Sequence, residues 1–227
     1  MDIILMPGLW LPSSIWADVQ RHLVTLGHRP TAVALPGADD RNVDATLDDQ
    51  LAAALASVDA ADRPLVVGHS AASSLAWLVA DRRPEDVAGV VMIGGFPSAS
   101  GSAYAEFFPV VDGVMGFPGW EPFEGPDSDD LDAQARTRLE ALAVPVPGGV
   151  AAAEVVLADE RRRHVPVTIV CPEFGPDDAR SWLADGQIPE LDGVETLAFV
   201  DIDSGHWPMV TRPAELARLL ADIAEGA

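Results

Sequence analysis

The chain has 227 residues, nearly half of them apolar (48%), and a formal net charge of -22. That length is enough to close one sizeable core, and no apolar run reaches the roughly eighteen residues that a membrane span needs. A field this negative repels phosphate backbones and anionic lipid surfaces, which argues against nucleic-acid and membrane partners.

All fourteen basic residues are arginine, in a chain rich in Ala, Gly, Pro and Val. GC-rich coding explains this bias, with adaptation to high salt as the competing explanation, and neither bears on chemistry. Met1-Asp2 leads straight into Ile3-Ile4-Leu5 with no basic leader or cleavage-like site, which sets the expectation of a cytoplasmic protein. Cys171 is the only cysteine, so an internal disulfide is excluded, in keeping with a reducing compartment.

In chain order, six short apolar runs read as strands: Asp2 to Met6, Pro30 to Leu35, Pro64 to Gly68, Ala88 to Gly94, Val165 to Cys171 and Glu195 to Ile202. Continuous runs of this length suit strands buried on both faces of a parallel sheet. Between them a helical period recurs at Leu47, Leu51, Leu55 and Val58, opened by Thr46 and Asp49 as a near capping box. It returns after Pro213, at Leu216, Leu219, Leu220 and Ile223. The alternation predicts an α/β fold, a single domain over residues 1–227.

One stretch breaks the rhythm. From Pro97 to His164 the sequence offers Tyr104, Phe107, Phe108, Phe117, Trp120 and Phe123 among Pro and Gly, then an acidic run, then a helical pattern from Leu131 to Leu142. A segment of this length without a strand reads as an insertion over a functional site, and its aromatics favour a packed cap or lid. As ordinary core residues of an extra layer they would fit the same pattern.

Three local signals carry chemistry. Leu65-Val66-Val67-Gly68-His69-Ser70-Ala71-Ala72 is a strand entering a small-residue turn and then a helix, the context of a nucleophile elbow that lifts a serine hydroxyl above the sheet. The motif is G-x-S-x-A, with Ala72 where glycine is usual. A bare serine N-cap would fit the same letters. The helix start aims the Ala71 N–H at a developing oxyanion.

The second signal is Ser204-Gly205-His206-Trp207-Pro208, on a loop after the last strand and so at the same sheet edge as Ser70. His22, His28 and His164 lie at helix ends or connections and take no role; His69 is expected to point into the flank of the sheet. The third is Pro7-Gly8-Leu9-Trp10 after the first strand, where the Leu9 N–H can supply a second oxyanion donor.

Together these residues resemble the α/β-hydrolase superfamily over essentially the whole chain. Pro7-Gly8-Leu9-Trp10 followed by Trp16 is similar to the opening of the hydroxynitrile lyase and methyl-esterase branch, with Pro7 in place of its histidine. Cys171-Pro172-Glu173-Phe174 and Gly205-His206-Trp207-Pro208 resemble a group of small bacterial hydrolases. The resemblance implies an α/β-hydrolase fold with a mainly parallel six-stranded sheet flanked by helices and a lid insertion over residues 97–164. It also implies a Ser-acid-His triad with Ser70 as nucleophile and His206 as base.

The resemblance implies an acid just after the strand ending at Cys171, where no aspartate matches cleanly. Glu173 is preferred because its extra methylene reaches further. Asp177 is the runner-up, and Asp201 or Asp203 remain beside the histidine loop. The expected reaction is hydrolysis of a carboxylic ester or lactone of a small apolar molecule through an acyl-enzyme. Leu9 and Ala71 form the oxyanion hole, and Trp10, Phe107, Phe108, Trp120 and Trp207 contact the substrate. No metal cluster, phosphate-binding loop or dinucleotide fingerprint is present in the sequence, so no cofactor is expected. A lyase on the same scaffold and a non-catalytic ligand-binding protein are the rival readings, and a homodimer is left open.

Overall fold

A computed structural model describes residues 1–226. In chain order it contains β1 (Asp2–Met6), α1 (Ala17–Thr25), β2 (Arg29–Ala32), α2 (Leu47–Asp59), β3 (Leu65–His69), α3 (Ala72–Arg82) and β4 (Gly89–Ile93). After these come β5 (Val114–Met115), α4 (Ala133–Leu142), β6 (Val146–Pro147), α5 (Gly148–Ala151), β7 (Val167–Cys171), α6 (Pro176–Ala184), β8 (Leu197–Asp201), α7 (Pro208–Thr211) and α8 (Pro213–Gly226). The main sheet is wholly parallel, in the order β2-β1-β3-β4-β7-β8.

Strand alternation divides the core between two layers. Ile4, Met6, Val66, Val90, Met92 and Ile169 face the layer of α2 and α3, whereas Ile3, Leu5, Leu65, Val67, Val91 and Val170 face α8 and α1. Each such fully buried aliphatic side chain contributes about 1.5–3 kcal/mol of transfer free energy. The central strands β3 and β4 are buried throughout, as continuous apolar runs require. The edge strands β2 and β8 are not: both consist of half-buried and exposed residues, because one flank of an edge strand meets solvent. β2 is also shorter than Pro30 to Leu35; it ends at Ala32, and the buried Val33 and Leu35 continue as irregular chain.

The helix starts follow local chemistry. The Thr46 hydroxyl accepts from the Asp49 N–H (3.2 Å) while the Asp49 carboxylate accepts from the Thr46 N–H (2.9 Å), a complete capping box on α2. Pro213 occupies the first position of α8.

The segment between β4 and β7 is not strandless. β5 and β6 pair antiparallel within it, and Tyr104, Met115, Val150 and Val155 bury their side chains in the α2/α3 layer. Two-residue strands give no periodicity from which to predict them. The end of the segment is clamped by Asp81 of α3, whose carboxylate accepts from the N–H groups of Ala158 (2.9 Å) and Asp159 (2.8 Å) and faces the buried Arg162 guanidinium at 3.4 Å. Arg162 also reaches Glu190 at 3.2 Å. Among the described residues, no helix is long and apolar enough to cross a membrane.

The strand order reverses between β1 and β3, since the chain leaves β1 outward to β2 and returns to β3 on the other side. A crevice opens at the carboxyl ends of strands at such a switch point. The loops after β1 and β3 carry Leu9 and Ser70 into it.

Candidate active site

Ser70 follows β3 directly and sits at φ 55°, a left-handed conformation that costs a non-glycine residue about 1–3 kcal/mol. Hydrogen bonds hold it there, from its N–H to the Ile93 carbonyl (2.8 Å) and from the Ser73 N–H to its own carbonyl (2.9 Å). Gly68 is required beneath the turn, because a Cβ there would run into the Ala72 carbonyl. Ala72 is fully buried as the first residue of α3, so a methyl group fits where glycine is usual.

The loop after β1 lies against this turn: a Cβ on Gly8 would stand 3.0 Å from the Ser70 Cβ. Trp10 takes φ 62°, its indole N–H donates to the Met115 carbonyl (3.1 Å), and its carbonyl accepts from the Val144 N–H (2.8 Å). The loop is therefore braced by the segment between β4 and β7. Neither the Leu9 nor the Ala71 N–H has a hydrogen-bond acceptor among the described residues, although Ala71 is only 6% exposed. Two unpartnered donors flanking a serine suit an incoming anion.

His206 lies on the loop between β8 and α7. Its Nδ1 is 2.7 Å from Glu173 Oε1, with both side chains 13% exposed. A carboxylate only accepts, so Nδ1 carries the proton and Nε2 keeps its lone pair. Glu173 stands just after β7, and a carboxylate in contact with the imidazole is where the sequence preferred it. Asp177 points to solvent instead, 99% exposed and paired with Arg180. Asp201 and Asp203 are exposed as well.

Ser70 and His206 line one cavity of about 110 Å³, together with Leu9, Trp10, His69, Phe107, Phe108, Phe123 and Trp207. No hydrogen bond joins the Ser70 hydroxyl to the imidazole; such contacts are often long in unliganded sites and tighten around substrate. Trp120 does not line this cavity. It packs behind Trp207 at 5.3 Å and borders a separate small pocket with Trp10 and Leu139, so Phe123 stands in the place expected for it.

His69 turns into the flank of the sheet, as expected, where it packs edge-on against Trp16, and from there it also reaches the histidine loop. It is 1% exposed, its Nε2–H donates to the His206 carbonyl at 2.7 Å, and burial, then repulsion from His206, pushes its pKa down to about 3. The histidine loop is also gripped by the acidic run. The Asp127 carbonyl accepts from the His206 N–H (2.8 Å), and Asp130 accepts from the Gly205 N–H (2.9 Å) and the Ser204 hydroxyl (3.2 Å). A Cβ on Gly205 would strike the Asp127 carbonyl, so only glycine allows this approach. Burial raises the Asp127 pKa against the pull of His206, and Glu173 adds to the rise. Asp127, Asp130 and Phe123 carried no signal in the sequence beyond acidity and aromaticity.

A protein with this arrangement has many structural counterparts. An extracellular alpha/beta-hydrolase from a Paenibacillus species is similar over 98% of both chains (TM-score 0.81, 16% identity). A methylesterase from Arabidopsis is similar over 100% of both (TM-score 0.78, 14% identity). A pyrethroid hydrolase from Sphingobium faniae is similar over 99% of this chain and 97% of its own (TM-score 0.74, 17% identity). At such identities the likeness is one of fold. No curated protein matches the sequence significantly. The family model described as Alpha/beta hydrolase family matches residues 3–219, nearly the whole described chain, and the protein belongs to that family.

Proposed function

We propose that the protein is a serine hydrolase that cleaves a carboxylic ester or lactone of a small, largely apolar molecule. The observation that carries this reading is the placement of Ser70 at φ 55° in a cavity shared with His206, whose Nδ1 is committed to Glu173 at 2.7 Å. The one basic atom left on the imidazole is Nε2, the atom a general base needs.

The steps follow from these groups. Ser70 Oγ attacks the carbonyl carbon as His206 Nε2 takes its proton, and Glu173 holds the tautomer and stabilises the imidazolium. The tetrahedral oxyanion accepts from the Leu9 and Ala71 N–H groups. His206 then returns its proton to the leaving alkoxide, and the acyl-serine remains. Water, deprotonated by His206, repeats the attack and releases the carboxylic acid and the free serine.

The substrate class rests on the lining. Apart from the reacting groups the cavity wall is Leu9, Trp10, His69, Phe107, Phe108, Phe123 and Trp207, with His69 neutral. No fixed charge meets an acyl or alcohol part, which favours an uncharged, apolar one. Methylesterase and pyrethroid hydrolase are among the names of the structural counterparts, in keeping with ester chemistry. Phe107 and Phe108 line the cavity beside the serine, which supports reading residues 97–164 as a cap.

Turnover of p-nitrophenyl esters and lactones tests the reading. Ser70→Ala is expected to remain folded and to lose kcat/KM by about a thousandfold or more. Retention of a hundredth of the wild-type value, or cyanohydrin cleavage without ester turnover, overturns it.

A further inference from the structure

Three hydrogen bonds fix His206, and they come from three parts of the chain. Its N–H donates to the Asp127 carbonyl (2.8 Å), its Nδ1–H to Glu173 (2.7 Å), and its carbonyl accepts from His69 Nε2 (2.7 Å). Only the third starts from the elbow that carries Ser70. His69 and His206 are 137 residues apart in sequence, and this bond is the direct polar link between the serine turn and the histidine loop.

Taking the proposed serine chemistry as its basis, we propose that His69 is a positioning residue, setting the distance and angle between Ser70 and His206 through the hydrogen bond from its Nε2–H to the His206 carbonyl. His69 is suited to this in three ways. Its backbone is the last residue of a central strand, in register with Ile93, so the ring is anchored on a rigid element. A carbonyl only accepts, so Nε2 carries the proton and Nδ1, lying against Gly8 without a partner, keeps a lone pair.

The third reason is charge. The two rings lie 4.9 Å apart, and His206 becomes an imidazolium during each half-reaction. A cationic donor at this spot would oppose that charge in a buried setting, whereas a neutral imidazole does not. His69 also packs edge-on against Trp16 at 6.5 Å, so filling the core is the competing role. Volume and donor can be separated: Phe keeps the volume and removes the donor, and Gln places an amide N–H near the position of Nε2.

The test compares His69→Phe and His69→Gln with wild-type protein in two measurements. Kinetics on a p-nitrophenyl ester are expected to show kcat lowered about tenfold to a hundredfold in His69→Phe, with KM little changed and most of kcat recovered in His69→Gln. Proton NMR of the His206 Nδ1–H, hydrogen-bonded to Glu173, is expected to show its downfield resonance lost or broadened in His69→Phe and retained in His69→Gln. A resonance and a kcat in His69→Phe equal to wild type overturn the inference, as does a His69→Gln variant no better than His69→Phe. If the wild-type protein hydrolyses no ester, the proposed function fails, and the NMR comparison still decides the role of His69. If His69→Phe does not fold, His69→Asn, which draws the donor back from the carbonyl, takes its place with the same expected loss.

Discussion

At the scale of single residues, the site turns on which carboxylate faces the imidazole. Glu173 stands two residues after the end of β7, and its side chain reaches Nδ1 at 2.7 Å. An amide at this position can hold the wrong tautomer, with Nδ1 accepting and Nε2 protonated. Glu173→Gln is therefore expected to lower kcat by about a thousandfold or more while the melting temperature holds. Asp177→Asn, at a solvated surface position, is expected to leave kcat unchanged. Steady-state kinetics on the two variants check this, and the reverse pattern contradicts it. The sequence could rank Glu173 above Asp177 only by reach, because the path of the loop after Cys171 is set by packing of Phe96, Phe174 and Trp182 on one another. The contacts to Phe96 join residues far apart in the chain.

At the scale of elements, the segment between β4 and β7 supplies both aromatic walls and structural braces, and the two functions separate on exposure. Phe107 is 63% exposed at the rim of the cavity, whereas Phe123 is packed among Trp10, Phe108, Phe117 and Trp207. Phe107→Ala is expected to shift the preference among acyl chain lengths with little change in melting temperature; Phe123→Ala is expected to lower stability as well, by about 2 kcal/mol or more. A uniform loss of activity on all substrates with lowered stability in Phe107→Ala contradicts the cap.

The same segment ends at the Asp81 clamp. Asp81→Ala removes one of the carboxylates around the buried Arg162 guanidinium, leaving Glu190 and Glu160, and leaves the Ala158 and Asp159 N–H groups without an acceptor. The expected cost is about 3 kcal/mol or more by urea unfolding, with part recovered in Asp81→Asn, whose amide oxygen still accepts. A loss under about 1 kcal/mol contradicts the clamp. Neither the clamp nor the β5/β6 pair could be read from sequence. Asp81 and Arg162 carry no pattern that links α3 to a turn so distant in the chain, and two-residue strands lie below any detectable period.

At the scale of the whole molecule, the parallel sheet was legible because its central strands are unbroken apolar runs and its helices open with recognisable caps. The site's local geometry was legible where it depends on one strand and the turn that follows, as at Gly68 and Ser70. It was not legible where remote segments converge: His69 on the His206 carbonyl, Asp127 and Asp130 on the histidine loop, Phe123 in the place expected of Trp120. These contacts depend on the strand order, which reverses between β1 and β3 and so gathers the loops of distant elements at one edge.

The central claim is that Ser70 is an activated nucleophile, and covalent capture tests it most directly. Wild-type protein treated with a fluorophosphonate is expected to gain one phosphonyl group, located by peptide mass spectrometry at Ser70, with ester turnover lost in proportion. Ser70→Ala is expected to gain none. Labelling at another residue, or full ester turnover by protein that is labelled at Ser70, would contradict the account.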